Sequence, residues 1–136
     1  MARVTHFEFG ADDPERTARF YASVFHWDIY KWDAPEDYWL VCTGPDGEPG
    51  IDGGIVRSRD GMPRTINTIE VDSLDACCER VARNGGAVLG PKTVIPGVGY
   101  HAYCRDPEGN VFGVHQPDPE AGEPGGDSDT DDTACE

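Results

Sequence analysis

Among the side chains of the types that bind metals or move protons, His6, Glu8, Glu70 and His115 stand in short stretches with strand character. In Val4-Thr-His-Phe-Glu-Phe9, alternation puts His6 and Glu8 on one face and Phe7 and Phe9 on the other, as in a strand with a core side and a functional or wet side. The same count puts Thr68 and Glu70 on the face of Ile66, and His115 on the face of Gly113. Two imidazoles and two carboxylates are enough for a displaced metal site. They equally suit acid/base work, since a carboxylate beside an imidazole raises its pKa and fixes its tautomer. A third reading has no chemistry: strand ends are wet, and these groups then line a solvated rim.

The elements that must position these residues come in two sets. A shift of 60 residues carries Asp12 onto Asp72, Asp46 onto Asp106, Glu48 onto Glu108, Ile51 onto Val111 and Gly53 onto Gly113, which marks a duplicated module. It carries His6 onto Ile66, so one strand histidine has an apolar twin. In the first module, Asp13-Pro14-Glu15 starts a helix with apolar stripe Thr17, Phe20, Tyr21, Val24 and Phe25, and His26 ends it. Strands are expected near Asp28 to Trp32, Tyr38 to Cys42 and Ile51 to Val56. The second module repeats the order with a strand over Thr65 to Val71 and a helix over Leu74 to Asn84. Strands near Ala87 to Leu89, Tyr100 to Cys104 and Val111 to His115 follow, the last two joined by a turn through Asp106-Pro-Glu-Gly-Asn110. The expected fold is α+β, two βαβββ modules in tandem (about 4–56 and 64–116) within one domain over 1–117. Residues 118–136, rich in Pro, Gly, Asp and Glu with no large apolar side chain, are expected to form a disordered acidic tail.

Composition removes several classes of function. A net charge of -15, with two lysines against sixteen aspartates, excludes a phosphate-backbone binder and disfavours an anionic membrane surface. The same excess suits a salt-rich cytoplasm, as in acidic halophilic proteins, where screening shortens to about 3 Å near 1 M salt; an ordinary acidic enzyme with an acidic tail is the alternative. The absence of a long apolar run predicts a cytoplasmic chain without membrane spans. Cys42, Cys77, Cys78, Cys104 and Cys135 form no CxxC or Cys/His ligand spacing and are expected to be reduced.

The strand-helix-three-strand repeat, the opening Val-x-His-x-Glu strand, the Asn84-Gly85-Gly86 helix stop and the closing Asp-Pro-x-Gly-Asn hairpin together resemble the vicinal oxygen chelate superfamily. This group comprises glyoxalases, bleomycin-resistance proteins and extradiol dioxygenases. The resemblance covers about residues 4 to 117 and implies a cup-shaped mixed sheet with helices outside. In metal-dependent members each module supplies one ligand from its first strand and one from its last. Carried onto this sequence, those positions are His6, Gly53, Ile66 and Gly113, of which only His6 can ligate, so no standard metal centre is expected. The strand alternation then places His6, Glu8, Glu70 and His115 on the concave side.

Glycines at two floor positions predict room for a ligand. Together with Ile66 and Thr68, the aromatic positions Tyr38, His101 and Tyr103 are the candidate lining for a planar or hydrophobic small molecule. Three functions follow: a metal-independent small-molecule binder of the bleomycin-resistance type; a glyoxalase-type lyase or isomerase, or a dioxygenase, with a rearranged metal or acid/base centre; and a non-catalytic interaction module. No cofactor is assigned, a divalent metal being possible but not favoured. A homodimer is expected, because the family resembled commonly pairs and pairing covers sheet edges.

Overall fold

The structure, a computed structural model, describes residues 2–32 and 37–122. It contains two units, one of residues 5–66 and one of residues 67–122 with the first few residues of the chain. The element order is that of two βαβββ modules, so the α+β tandem architecture holds.

In the first module β1 (Arg3–Ala11) leads into α1 (Pro14–Phe25), followed by β2 (Asp28–Trp32), β3 (Tyr38–Cys42) and β4 (Asp52–Arg57). The sheet order is β2-β3-β4-β1, with β1 and β4 parallel and the other pairs antiparallel. The Asp13 side chain accepts from the Arg16 N–H at 3.2 Å and Pro14 fills the first turn, so the expected start signal operates. His26 ends the helix in the left-handed region (φ 62°), its N–H donating to the Ala22 carbonyl. Phe7, Phe9, Ala18, Trp27 and Ile29 pack around buried Ala11, Trp39, Val41 and Ile55, which places the core on the α1 side of the sheet.

The phase of α1 differs from expectation. Pro14 is buried, Ala18 and Tyr21 face the core, and Phe20, Val24 and Phe25 of the expected stripe are exposed. The small Ala18 lets the helix approach the sheet, where Tyr21 stacks flat on Trp27 (5.4 Å, 7°) and tilts on Phe9 at 5.2 Å.

The second module consists of β5 (Thr65–Glu70), α2 (Leu74–Arg83), β6 (Ala87–Ile95), β7 (Gly99–Arg105) and β8 (Val111–Pro117). Its order is β5-β8-β7-β6, with β5 parallel to β8. Its core comprises Val71, Leu74, Ala102, Cys104 and Val114, with Ile69, Cys77, Cys78, Val81, Tyr100 and Phe112 against it. Strand β6 runs well past the expected Leu89: the register shifts between Leu89 and Thr93, where Gly90 takes φ 82° and Pro91 lacks an N–H, and pairing then resumes to Ile95. In the hairpin before β8, Asp106 accepts from the Glu108 and Asn110 N–H groups and from the Asn110 amide. These bonds, led by those from Asn110, hold its carboxyl below the usual range.

Most of the expected tail lies outside the described residues. Its first part does not begin at 118 as a free segment. The Asp118 N–H donates to the Val98 carbonyl, the Gly97 N–H donates to the Ala121 carbonyl, and Ala121 is buried.

Candidate functional site

Each module presents a polar face opposite its core. In the first, alternation carries Phe7, Phe9, Trp39, Val41 and Ile55 to the helix side, which leaves His6, Glu8 and Tyr38 on the other. His6 Nε2 and the Tyr38 hydroxyl are hydrogen-bonded at 2.9 Å. Glu8, whose side chain is only 12% exposed, accepts from Arg59 Nη2 at 3.0 Å. A charge partner of Glu8 is thus Arg59, a linker residue that no strand pattern singles out.

Gly53 does not lie on this polar face. Its register partners are Phe7 and Val41, both core-facing, and a Cβ there would collide with the Phe7 ring and carbonyl. The polar face holds Gly54 instead, paired with Glu8 and Leu40. The reason is a one-residue slip in the repeat. Glu8 pairs with Gly54, and its 60-residue counterpart Thr68 pairs with Gly113, so the last strands are related by 59 residues, not 60. Over Gly54 lies the Tyr38 ring, in close contact with the position a Cβ would take.

In the second module Thr68 pairs with Gly113 and Glu70 with His115, while His101 and Tyr103 on β7 pair with His115 and Gly113. All five side chains therefore share the face of Gly113, as expected from alternation, and Ile66 shares it too. Thr68 and Ile66 are buried and Glu70 is exposed, so the face is dry at one end and wet at the other. A Cβ on Gly113 would stand 2.8 Å from both His101 Nε2 and Thr68 Oγ1. His101 meets Tyr103 edge-on, with ring centroids 4.6 Å apart.

These contacts correct the expectation that the glycines empty a floor. The space above Gly113 is taken by His101 and Thr68, and that above Gly54 by Tyr38. The same device operates in both modules: a polar ring from the third strand lies over a glycine of the fourth.

His115 is held below the ordinary imidazole pKa by burial, an effect opposed by the Glu70 charge and a hydrogen bond involving the Tyr100 backbone. At neutral pH its ring is uncharged and able to accept a proton. A divalent metal of the kind the superfamily uses does not fit. Gly54, Ile66 and Gly113 offer no ligating atom, and the remaining imidazole, His6, is engaged by Tyr38. Among the described residues no three His, Cys, Asp or Glu side chains converge as a metal site.

A two-module α+β chain with an opening histidine strand and glycines at the fourth-strand positions defines the class, and comparison with known proteins agrees. The sequence model described as a glyoxalase-like domain matches residues 6–115. A glyoxylase-like domain-containing protein of Didymella fabae is 31% identical over 121 residues, which is 82% of this chain and 91% of that one. A putative glyoxylase of Mycobacterium tuberculosis is 30% identical over 116 residues, 83% of this chain but only 43% of that protein. Among solved structures, methylmalonyl-CoA epimerase of Mycobacterium tuberculosis superposes with a TM-score of 0.60 at 16% identity, covering 85% of this chain and 88% of that one. A methylmalonyl-CoA epimerase in complex with methylmalonyl-CoA and NH4+ gives 0.67 at 11% identity, covering 90% and 99%. At such identities the structural likeness speaks for the fold alone. This chain belongs to the glyoxalase-like domain family and has the fold of the vicinal oxygen chelate superfamily.

Proposed function

We propose that this chain is a metal-independent small-molecule binder, taking its ligand on the polar faces of its modules. His6, Glu8 and Tyr38 serve the first face; Thr68, Glu70, His101, Tyr103 and His115 serve the second, beside the apolar wall of Ile66. The observation that carries the reading is the repeated placement of Tyr38 over Gly54 and His101 over Gly113, where a fourth-strand side chain would otherwise stand. A ring that both stacks and hydrogen-bonds suits a planar molecule bearing oxygen or nitrogen. The test is protein-observed NMR on chelator-treated protein with a library of small planar carbonyl compounds. Saturable binding is expected, weakened roughly tenfold by His101→Ala or Tyr38→Phe. Binding that requires added divalent metal, or that ignores both substitutions, refutes it.

A second reading has its own support. A neutral, half-buried His115 beside Glu70 has the makings of an acid/base centre for an isomerase or lyase that moves a proton next to a carbonyl. In that reading His115 Nδ1 or Nε2 accepts the proton and Glu70 stabilises the resulting charge. Deuterium uptake from heavy water by a bound carbonyl compound is its signature, and it must fall in His115→Ala. Uptake unchanged by His115→Ala ends that reading.

A further inference from the structure

Helix α2 turns two thiols toward a third that lies in the core of the second module. Leu74, Cys77, Cys78 and Val81 recur at helical spacing and form the stripe that packs on the sheet. Facing that stripe from β7 stands Cys104, with no exposed surface. The Cys78 and Cys104 thiols are hydrogen-bonded to each other, and Cys77, Cys78 and Cys104 are all free in this structure. A buried cysteine alone is ordinary core filling. A helix thiol bonded to a strand thiol is also the precursor of a covalent link between the two elements.

Access orders the chemistry. Cys78 is partly exposed whereas Cys104 is sealed, so a small oxidant meets Cys78 first. We propose that Cys78 and Cys104 form a reversible disulfide, with hydrogen peroxide as the oxidant, that clamps α2 to β7. Cys78 Sγ attacks one peroxide oxygen, the O–O bond breaks, and a Cys78 sulfenic acid and one water result. Cys104 Sγ then displaces the sulfenic hydroxyl, which leaves as a second water with the Cys104 proton, and the S–S bond forms. The two thiols lose two electrons and two protons, and the peroxide is reduced to two waters. Burial, joined by the neighbouring thiols, holds both cysteines above the ordinary thiol range, Cys104 at about 12, so thiolate is scarce near neutral pH. The link therefore forms under sustained peroxide, not under traces. Cys104 adjoins Tyr103, so the clamp fixes the strand that carries His101 and Tyr103 on its other face. The proposal is independent of which ligand that face takes.

The test treats the full chain with hydrogen peroxide, blocks the remaining thiols in denaturant, and maps the linked peptides by mass spectrometry beside a thermal unfolding scan. A peptide pair joined through Cys78 and Cys104 within one chain is expected, with a melting temperature raised by about 10 °C that dithiothreitol reverses. Cys77→Ser is expected to keep both the link and the rise, which separates Cys78 from its neighbour. Cys78→Ala is expected to lose both; if it fails to fold, the maps of wild type and Cys77→Ser decide alone. Thiols at Cys78 and Cys104 that both remain free after peroxide overturn the proposal. So do a link made through Cys77, a link between two chains, a Cys78–Cys104 link without any rise, and a rise that persists in Cys78→Ala.

Discussion

Replacing Gly113 with alanine tests the arrangement on which the functional reading rests. Gly113 has no positive φ, so alanine is permitted by the backbone. In a strand the change alone should stabilise, by roughly 0.5–1 kcal/mol, because glycine loses more freedom on folding. Against this, the new Cβ would stand 2.8 Å from His101 Nε2 and Thr68 Oγ1, closer than real contacts allow. Thr68 is buried, so relief falls largely on His101. Overpacking of this kind costs about 1–3 kcal/mol. The net expectation is a loss of about 0–2.5 kcal/mol, centred near 1 kcal/mol, or about 4 °C in melting temperature for a domain of this size. The assay is thermal unfolding together with NMR of the His101 imidazole, whose shift reports its edge-on contact with Tyr103 at 4.6 Å. Gly44→Ala is the control: its Cβ meets only Glu48 Oε1 at 3.6 Å, so no loss is expected there. A Gly113→Ala protein as stable as wild type, with the His101 resonances unmoved, would show that the space above Gly113 is open and that His101 does not lie over it.

Other consequences concern titration and reactivity. The His115 pKa is lowered in the fold, mainly by burial, so its contribution to stability is fully present above the unfolded value of about 6.5 and is lost as pH falls through the folded value. Part of the acid-induced drop in melting temperature between neutral and mildly acidic pH should vanish in His115→Gln; an identical drop in both proteins contradicts this. Glu70→Gln removes the charge that raises the His115 pKa, so an NMR titration should place that pKa lower still, and a rise would count against the Glu70–His115 coupling. Burial, joined by the neighbouring Cys78 and Cys77, pushes the Cys104 thiol up to about 12, so it should resist alkylation at mildly alkaline pH until denaturant is added. Fast labelling of Cys104 in the native protein would show that β7 is not packed as described.

Much of the fold was legible because its signals are local. Asp13-Pro14, the Asp106 turn and the placing of Phe7 and Phe9 on the core face of β1 each follow from a few residues, and each appears where expected. Two misreadings share a cause, since tertiary contacts set what local pattern leaves open. The Gly53-Gly54 pair reads equally well in either phase, and only the pairing of Glu8 with Gly54 decides which glycine faces Tyr38. In α1 the spacing of Phe20, Val24 and Phe25 gave a plausible stripe, yet Ala18 and Tyr21 meet Phe9 and Trp27 and turn the others outward. The expected strand over Ala87 to Leu89 continues to Ile95, because a bulge absorbs Gly90-Pro91. Arg59 carries no local signal, being one of several polar linker residues, and only the fold brings it to Glu8.

Metal-independent binding is decided by the affinity of one identified small-molecule ligand, measured in chelator and again after adding one equivalent of a divalent metal such as zinc or nickel. The same dissociation constant is expected in both. Binding abolished by chelation and restored stoichiometrically by the metal would show that the site needs an ion.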